Sequence, residues 1–159
     1  YGEAHVALRA GGAPSEPDNV VQPFVMISAG LFAAPRYIEA YGQPTSIEDL
    51  ATHRFVTHDV INSRAPHYNW LAKHVPETAL VLRSTDVHTL QDAVVAGLGI
   101  GFLERSIAQQ LGMIEVIEPR AEWSSQLWLV THVDLHRTIK VQALLAHLKD
   151  QVKKLERTA

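Results

Sequence analysis

TALVLRSTDVHTLQDAVVAGLGIGFL, residues 78–103, contains the signals of a strand, a helix and a second strand in succession. Thr78–Leu82 is apolar and β-leaning, and the Ser84-Thr85-Asp86 that follows consists of residue types that cap helix N-termini. One helical face is predicted by the apolar positions Val87, Leu90, Val94 and Leu98. Gly97 ends this helix, and Leu98–Leu103 forms a short buried strand. The segment is therefore a βαβ unit, which requires a sheet with parallel strands.

The rest of the chain repeats this alternation, so the predicted class is α/β with a substantial parallel component. Further strands are predicted over Ala4–Ala10, Val20–Ala34, Arg54–Val60, Met113–Ile117 and Gln126–His132. Further helices are predicted over Arg36–Tyr41, from the capping box Thr45-Ser46-Ile47-Glu48 through Ala51, over Arg105–Leu111, and at the C-terminus. The last helix has an apolar stripe of Val141, Leu144, Leu145, Leu148, Val152 and Leu155. An irregular loop is predicted over Ile61–Tyr68.

Composition excludes several function classes. The 159 residues are 47% hydrophobic and carry a net charge of −3, so the chain shows no electrostatic footprint for nucleic acid. There is no cysteine, which excludes disulfides, thiolate metal sites and cysteine nucleophiles. No apolar run approaches the roughly 18 residues of a membrane span.

No catalytic or metal motif is convincing. His132 and His136 straddle a strand end and a turn without a further ligand pattern, so solvated histidines are the better interpretation. Ile27-Ser28-Ala29-Gly30 lacks the first glycine of a hydrolase elbow. The glycines of Gly97-Leu98-Gly99-Ile100-Gly101 end a helix and enter a strand, the reverse of a dinucleotide loop, and indicate close backbone packing. We expect no catalytic residue, no metal and no cofactor.

The Ser84-Thr85-Asp86 segment is the best candidate for a binding site. It lies between a strand and a helix, where open α/β sheets bind small ligands, although simple N-capping is an equally good explanation. Thr57, His58 and Asp59 end another strand and could supply complementary polar groups across a cleft. The residues alone thus describe a ligand-binding α/β module.

Short motifs along the whole chain resemble the effector-binding domain of LysR-type transcriptional regulators. Their order and spacing carry the resemblance more than any single motif. The motifs are Val6-Ala7-Leu8-Arg9-Ala10-Gly11, Ala33-Ala34-Pro35-Arg36-Tyr37-Ile38, Gly42-Gln43-Pro44 with Asp49-Leu50-Ala51-Thr52-His53, Ser84-Thr85-Asp86, and Ala96-Gly97-Leu98-Gly99-Ile100-Gly101. His5 stands where the family usually has aspartate, and Glu104 replaces a common proline.

The resemblance implies a type 2 periplasmic-binding-protein-like fold with two Rossmann-like lobes. Residues 1–30 and 122–159 would form the remnant of the first lobe, truncated at its N-terminus, and residues 31–121 the second. It also implies a non-enzymatic, cytoplasmic effector sensor that binds a small metabolite in an inter-lobe cleft and forms homo-oligomers. DNA would be bound only through a domain outside this chain, and no membrane is involved. A periplasmic solute-binding protein of the same fold is the alternative.

The expected effector site lies against Ser84 and Thr85, facing Thr57 and His58, with Gly101 and Phe102 beneath. An anionic effector is expected, because the first amides of the helix near Asp86 carry partial positive charge. Asp86 itself argues against an anion, since its own carboxylate would occupy the positive end of the helix.

Overall fold

The computed structural model describes residues 4–59 and 65–156 and divides into two compact units. One unit comprises Tyr1–Ile27 and Ser125–Ala159, and the other comprises Ser28–Ser124. The predicted divisions at residues 30/31 and 121/122 lie close to these. The identity of the two units as regulatory lobes stays a prediction.

The described strands, in chain order, are β1 (Ala7–Ala10), β2 (Asn19–Ala33), β3 (Phe55–His58), β4 (Leu80–Ser84), β5 (Ile100–Glu104), β6 (Ile114–Glu115) and β7 (Ser124–His132). The described α-helices are α1 (Pro35–Tyr41), α2 (Pro66–His74), α3 (Val87–Val95), α4 (Arg105–Gln110), α5 (Val133–His136) and α6 (Ile139–Glu156). Single 3₁₀ turns occur at Glu48–Thr52, Glu77–Ala79 and Ala121–Trp123.

In the unit formed by the chain ends, the strand order is β1-β7-β2, and β1 runs antiparallel to β7. Helix α6 contributes Val141 and Leu145 to a small core around Leu129. Leu144 was predicted on the buried stripe, and this is wrong because it is 45% exposed. The side chain of Leu155 lies outside the described residues.

In the unit Ser28–Ser124, the strand order is β2-β5-β3-β4, with β6 paired to β2. Strand β3 runs parallel to both β4 and β5, while β2 is antiparallel to β5, so the sheet is mixed. Successive side chains of β3 point to opposite faces. Phe55 packs in one core with Trp70, and Val56 packs in another with Val94 of α3. Helices thus cover both faces of the sheet, and the predicted α/β class with parallel strands is confirmed.

The βαβ unit predicted in residues 78–103 forms, because its signals are local, although its strands begin two residues later than predicted. Of the predicted helical face, Leu90 and Val94 are buried, whereas Val87 and Leu98 are exposed. Asp86 caps α3 by accepting hydrogen bonds from the amides of His88 and Thr89. Gly97 follows that helix with a φ of 73°, a conformation that favours glycine. The glycines also pack closely, since a Cβ on Gly99 would lie 2.8 Å from the carbonyl oxygen of Arg54.

Two further sequence predictions are wrong. The loop predicted over Ile61–Tyr68 is helical from Pro66, where α2 begins, and its residues 61–64 lie outside the described residues. The capping box is shifted by one residue, because Ser46 and Asp49 form it. The Ser46 amide donates to the Asp49 carboxylate, and the Asp49 amide donates to the Ser46 hydroxyl at 3.2 Å. The spacing of three residues between the hydroxyl and the carboxylate is kept, but the carboxylate is that of Asp49 and not the expected Glu48.

Candidate functional site

The carboxyl ends of β3 and β4 place the predicted polar residues at one sheet edge. These strands are parallel neighbours, and their register sets His58 opposite Ser84 and Thr57 opposite Arg83. The two groups therefore lie side by side, so the expectation that they face each other across a cleft is wrong. We call Thr57, His58, Ser84 and Thr85 the sheet edge. Thr57 is buried at 8% exposure, whereas Thr85 is exposed.

The cap of α3 occupies most of the donors that an anion would use at this edge. The Ser84 hydroxyl accepts from the Asp86 amide at 3.0 Å. The Asp86 carboxylate accepts from the amides of His88 and Thr89 at 3.3 and 2.9 Å, and from the Thr89 hydroxyl at 2.6 Å. These hydrogen bonds, chiefly those from Thr89, lower the pKa of Asp86. The carboxylate remains ionised at neutral pH, and it already accepts hydrogen bonds from the first amides of α3.

Gly101 is part of the packing between β5 and α3. A Cβ added to it would lie 2.6 Å from Cγ2 of Val94 and 3.2 Å from the carbonyl oxygen of Val56. The close approach that glycine permits is therefore made by a side chain of α3. The expectation that Gly101 lies open beneath a ligand is wrong, because Val94 fills that space.

Phe102 belongs to a group of rings that α2 completes, and we call His58, His67, Tyr68 and Phe102 the ring cluster. The His67 ring lies 5.0 Å from that of Phe102 and 4.3 Å from that of Tyr68, between centroids. Tyr68 in turn lies 5.3 Å from His58, which joins the cluster to the sheet edge. Phe102 is 6% exposed, so it forms the base of the cluster.

His67 has an unusual electrostatic environment in this cluster. Burial lowers its pKa to about 4, and the nearby His58 adds to this effect. Its Nδ1 atom is buried and has no hydrogen-bond partner among the residues that the structure describes. Burial also raises the pKa of the Tyr68 hydroxyl. At neutral pH His67 is therefore uncharged, with one ring nitrogen available for a partner.

Sequence reasoning missed His67 and Tyr68 because it assigned them to a loop. Pro66 at the first helical position was a usable signal, since proline is favoured there. Helical spacing of Trp70 and His74, which stack with ring centroids 4.1 Å apart, was a second signal.

Within residues 4–59 and 65–156, no group of three or more histidine, cysteine, aspartate or glutamate residues could hold a metal ion. His132 and His136 instead make local contacts. His132 Nδ1 accepts from the Asp134 amide at 3.3 Å, and His136 Nδ1 lies 2.9 Å from the Thr131 hydroxyl. No helix in the described part of the chain is long and apolar enough to cross a membrane.

Comparison with known proteins identifies the family. The model of the LysR substrate binding domain matches residues 1–153, which is nearly the whole chain. The chain belongs to this family. It is the effector-sensing regulatory domain of a LysR-type transcription regulator, as the sequence motifs predicted. LysR-type regulators bind small-molecule effectors through this domain and DNA through another.

Solved structures of the LysR family share the fold. The regulatory domain of CrgA from Neisseria meningitidis is 19% identical with a TM-score of 0.75, over 94% of this chain and 76% of that one. The regulatory domain of AphB from Vibrio vulnificus is 16% identical with a TM-score of 0.68, over 92% and 74%. The effector domain of AmpR from Pseudomonas aeruginosa is 14% identical with a TM-score of 0.68, over 98% and 76%.

At these identities the likenesses establish the fold, and the predicted periplasmic-binding-protein-like class is confirmed. The chain spans about half of full-length AphB from Vibrio cholerae, covering 51% of it. No curated protein matches the sequence.

Proposed function

We propose that this effector-sensing domain binds a small polar metabolite at the sheet edge, against the ring cluster. The observation that carries the proposal is the register of β3 and β4, which sets His58 beside Ser84. Tyr68 packs against His58 and Phe102, so an apolar wall adjoins the polar edge. Effector sites combine such apolar walls with a few polar groups that fix orientation.

Each predicted site residue has a distinct role in this proposal. Ser84, Thr85 and Thr57 offer hydroxyls, His58 offers a ring nitrogen, and Phe102 supports the wall from below. Gly101 acts only indirectly, because it lets α3 pack closely on the strand that carries Phe102. His67, which the sequence did not predict, offers its Nδ1 atom, which has no partner among the described residues.

We further propose that the effector is an anion, as expected from the sequence. Asp86 already caps α3, so that helix contributes little attraction. The His58 ring, next to Ser84, would instead donate a hydrogen bond to a carboxylate. A matched comparison of small carboxylic acids with their amides tests this point directly.

The remaining features of the proposal follow from family membership. The unit Ser28–Ser124 is proposed as the second regulatory lobe and the unit of the chain ends as part of the first. We propose that the domain performs no catalysis, forms homo-oligomers and works in the cytoplasm, where a DNA-bound regulator acts. A periplasmic solute-binding role is disfavoured because the matching family model is that of LysR regulators.

Thermal unfolding of the purified chain against a panel of carboxylates, their amides and amino acids tests the site. A ligand that binds the folded state raises the midpoint of unfolding in a concentration-dependent way. We expect Ser84→Ala and Thr57→Val to weaken binding of such a compound about tenfold, the effect of losing one hydrogen bond of about 1.4 kcal/mol. Ser106→Ala is the matched control, since that serine lies at the start of another helix.

The control should bind as the wild type does. A compound that stabilises the wild type and both sheet-edge variants equally would show that the effector site lies elsewhere.

A further inference from the structure

A cavity of about 500 Å³ lies on a face of α2, in a place that the proposed effector site does not use. Its walls include Trp70, Lys73 and His74 of the helix, and Arg120 and Glu122 from the segment before β7. The volume is within the range of small-ligand sites in proteins. The whole cavity lies within the unit Ser28–Ser124.

The walls carry two cationic side chains, Arg120 and Lys73, and one carboxylate, Glu122. The Arg120 guanidinium lies over the Trp70 ring, 5.2 Å from its centroid, and the exposed His74 ring stacks on the buried Trp70 beside it. Trp70 is 6% exposed, so it holds Arg120 against a rigid, buried surface. Lys73 follows Trp70 by one turn on the same helix and lines the same cavity.

Neither cation has a hydrogen-bonded acceptor within the described ranges. Glu122 approaches Arg120 at 3.7 Å, which is an ion pair but too long for a hydrogen bond. By contrast, Arg105 donates to the Glu115 carboxylate at 3.0 Å, and Arg83 donates to Glu77 at 3.0 Å. The guanidinium of Arg120 therefore keeps its planar set of donors for another acceptor, which a carboxylate or phosphate group matches.

We propose that this cavity is a second binding site, for the oxyanion group of a small metabolite held between Arg120 and Lys73. The oxygens of a carboxylate or a phosphate would accept hydrogen bonds from the Arg120 guanidinium and pair with the Lys73 ammonium. The site is separate from the sheet edge, yet α2 carries residues of both, since His67 and Tyr68 belong to the ring cluster. An anion in the cavity thus contacts the same helix that bounds the effector site.

The test titrates the purified chain with citrate and with inorganic phosphate, against sodium chloride at matched ionic strength. Tryptophan fluorescence reports on the site, because Trp70 contacts both Arg120 and His74. We expect a saturable change with at least one anion that sodium chloride does not produce. A saturable change with citrate would identify a carboxylate site, and one with phosphate would identify a phosphate site.

Two variants and two matched controls localise the binding. Lys73→Gln and Arg120→Gln should each weaken the affinity at least tenfold, whereas Lys140→Gln and Arg137→Gln, at exposed positions elsewhere, should leave it unchanged. Lys73 is exposed, so its variant should fold normally even if Arg120→Gln disturbs Trp70.

Ser84→Ala should bind the anion as the wild type does, which separates this proposal from that of the effector site. The proposal is overturned if neither anion gives a saturable change, or if Lys73→Gln retains the wild-type affinity.

Discussion

Acidification should destabilise this domain through His67, and replacing that residue should remove the effect. The folded state holds the pKa of His67 at about 4, mainly because the ring is buried, whereas an unfolded histidine has an ordinary pKa near 6.5. Between these two values the unfolded chain binds more protons than the folded chain. The free energy of unfolding therefore rises with pH across this window and falls as the solution is acidified.

The size of the effect follows from the two pKa values. Each unit of difference corresponds to about 1.4 kcal/mol, so the full window is worth about 3 kcal/mol. Between pH 7 and pH 5 the loss should be about 2 kcal/mol, most of the total. This interval lies above the range in which carboxylates titrate, and the lowered pKa values of Asp49 and Asp86 keep those groups ionised throughout.

Urea unfolding followed by circular dichroism at closely spaced pH values measures the slope. His67→Phe should flatten it by about 2 kcal/mol between pH 7 and pH 5, because phenylalanine cannot titrate and fits among Phe102 and Tyr68. It also removes the buried Nδ1 atom that has no described partner, so stability at pH 7 should not fall by more than about 1 kcal/mol. His5→Phe, at an exposed position, is the control and should follow the wild-type slope.

If His67→Phe loses stability on acidification as steeply as the wild type does, the ring is not held neutral by burial. The account of the ring cluster would then be wrong, including the availability of Nδ1 for an effector.

Five other substitutions test the packing and the capping that support the site. Gly99→Ala should lower the free energy of unfolding by about 1–3 kcal/mol, because its Cβ would lie 2.8 Å from the backbone oxygen of Arg54. Gly101→Ala should have a comparable effect, because its Cβ would lie 2.6 Å from Cγ2 of the buried Val94 and 3.2 Å from the carbonyl oxygen of Val56. Urea unfolding measures both variants, and wild-type stability of either one would contradict the close packing. Asp86→Ala should lower the free energy of unfolding by about 1 kcal/mol, because the N-terminal cap of α3 is lost. Asp86→Asn keeps an uncharged cap, so a stability equal to that of the wild type would agree with the same role. Thermal unfolding measures both variants. Tyr37→Phe should cost about 1–3 kcal/mol, because the amide of Arg54 donates to the Tyr37 hydroxyl and would lose its acceptor; unchanged stability would contradict this reading.

Sequence reasoning predicted the elements whose signals are local. The βαβ unit of residues 78–103 needed only the cap at Asp86, the helical spacing of Leu90 and Val94, and the glycine that follows. The neighbouring positions of Thr57 and Ser84 at one edge could also be expected once the strands were known to be parallel.

Helix α2 could not be predicted in the same way. Its histidines and asparagine have modest helix propensity, and the helix is stabilised by burying Trp70 and Leu71 against the sheet. That burial depends on strands distant in the chain. The same reasoning explains why the ring cluster was missed, since His67 and Tyr68 reach the sheet edge only through this helix.

The hydrogen bond across the base of the unit Ser28–Ser124 has a consequence for how this chain can be altered. The hydroxyls of Ser28 and Ser124 lie 3.3 Å apart, although 96 positions separate them in the sequence. The segment between them thus begins and ends at neighbouring positions, as an inserted domain does. Because its ends are adjacent, such a segment can be deleted, circularly permuted through a short linker, or exchanged for a related one with little added loop-closure entropy. If the effector binds at the sheet edge as proposed, replacing this one continuous piece of gene would change the specificity for the effector.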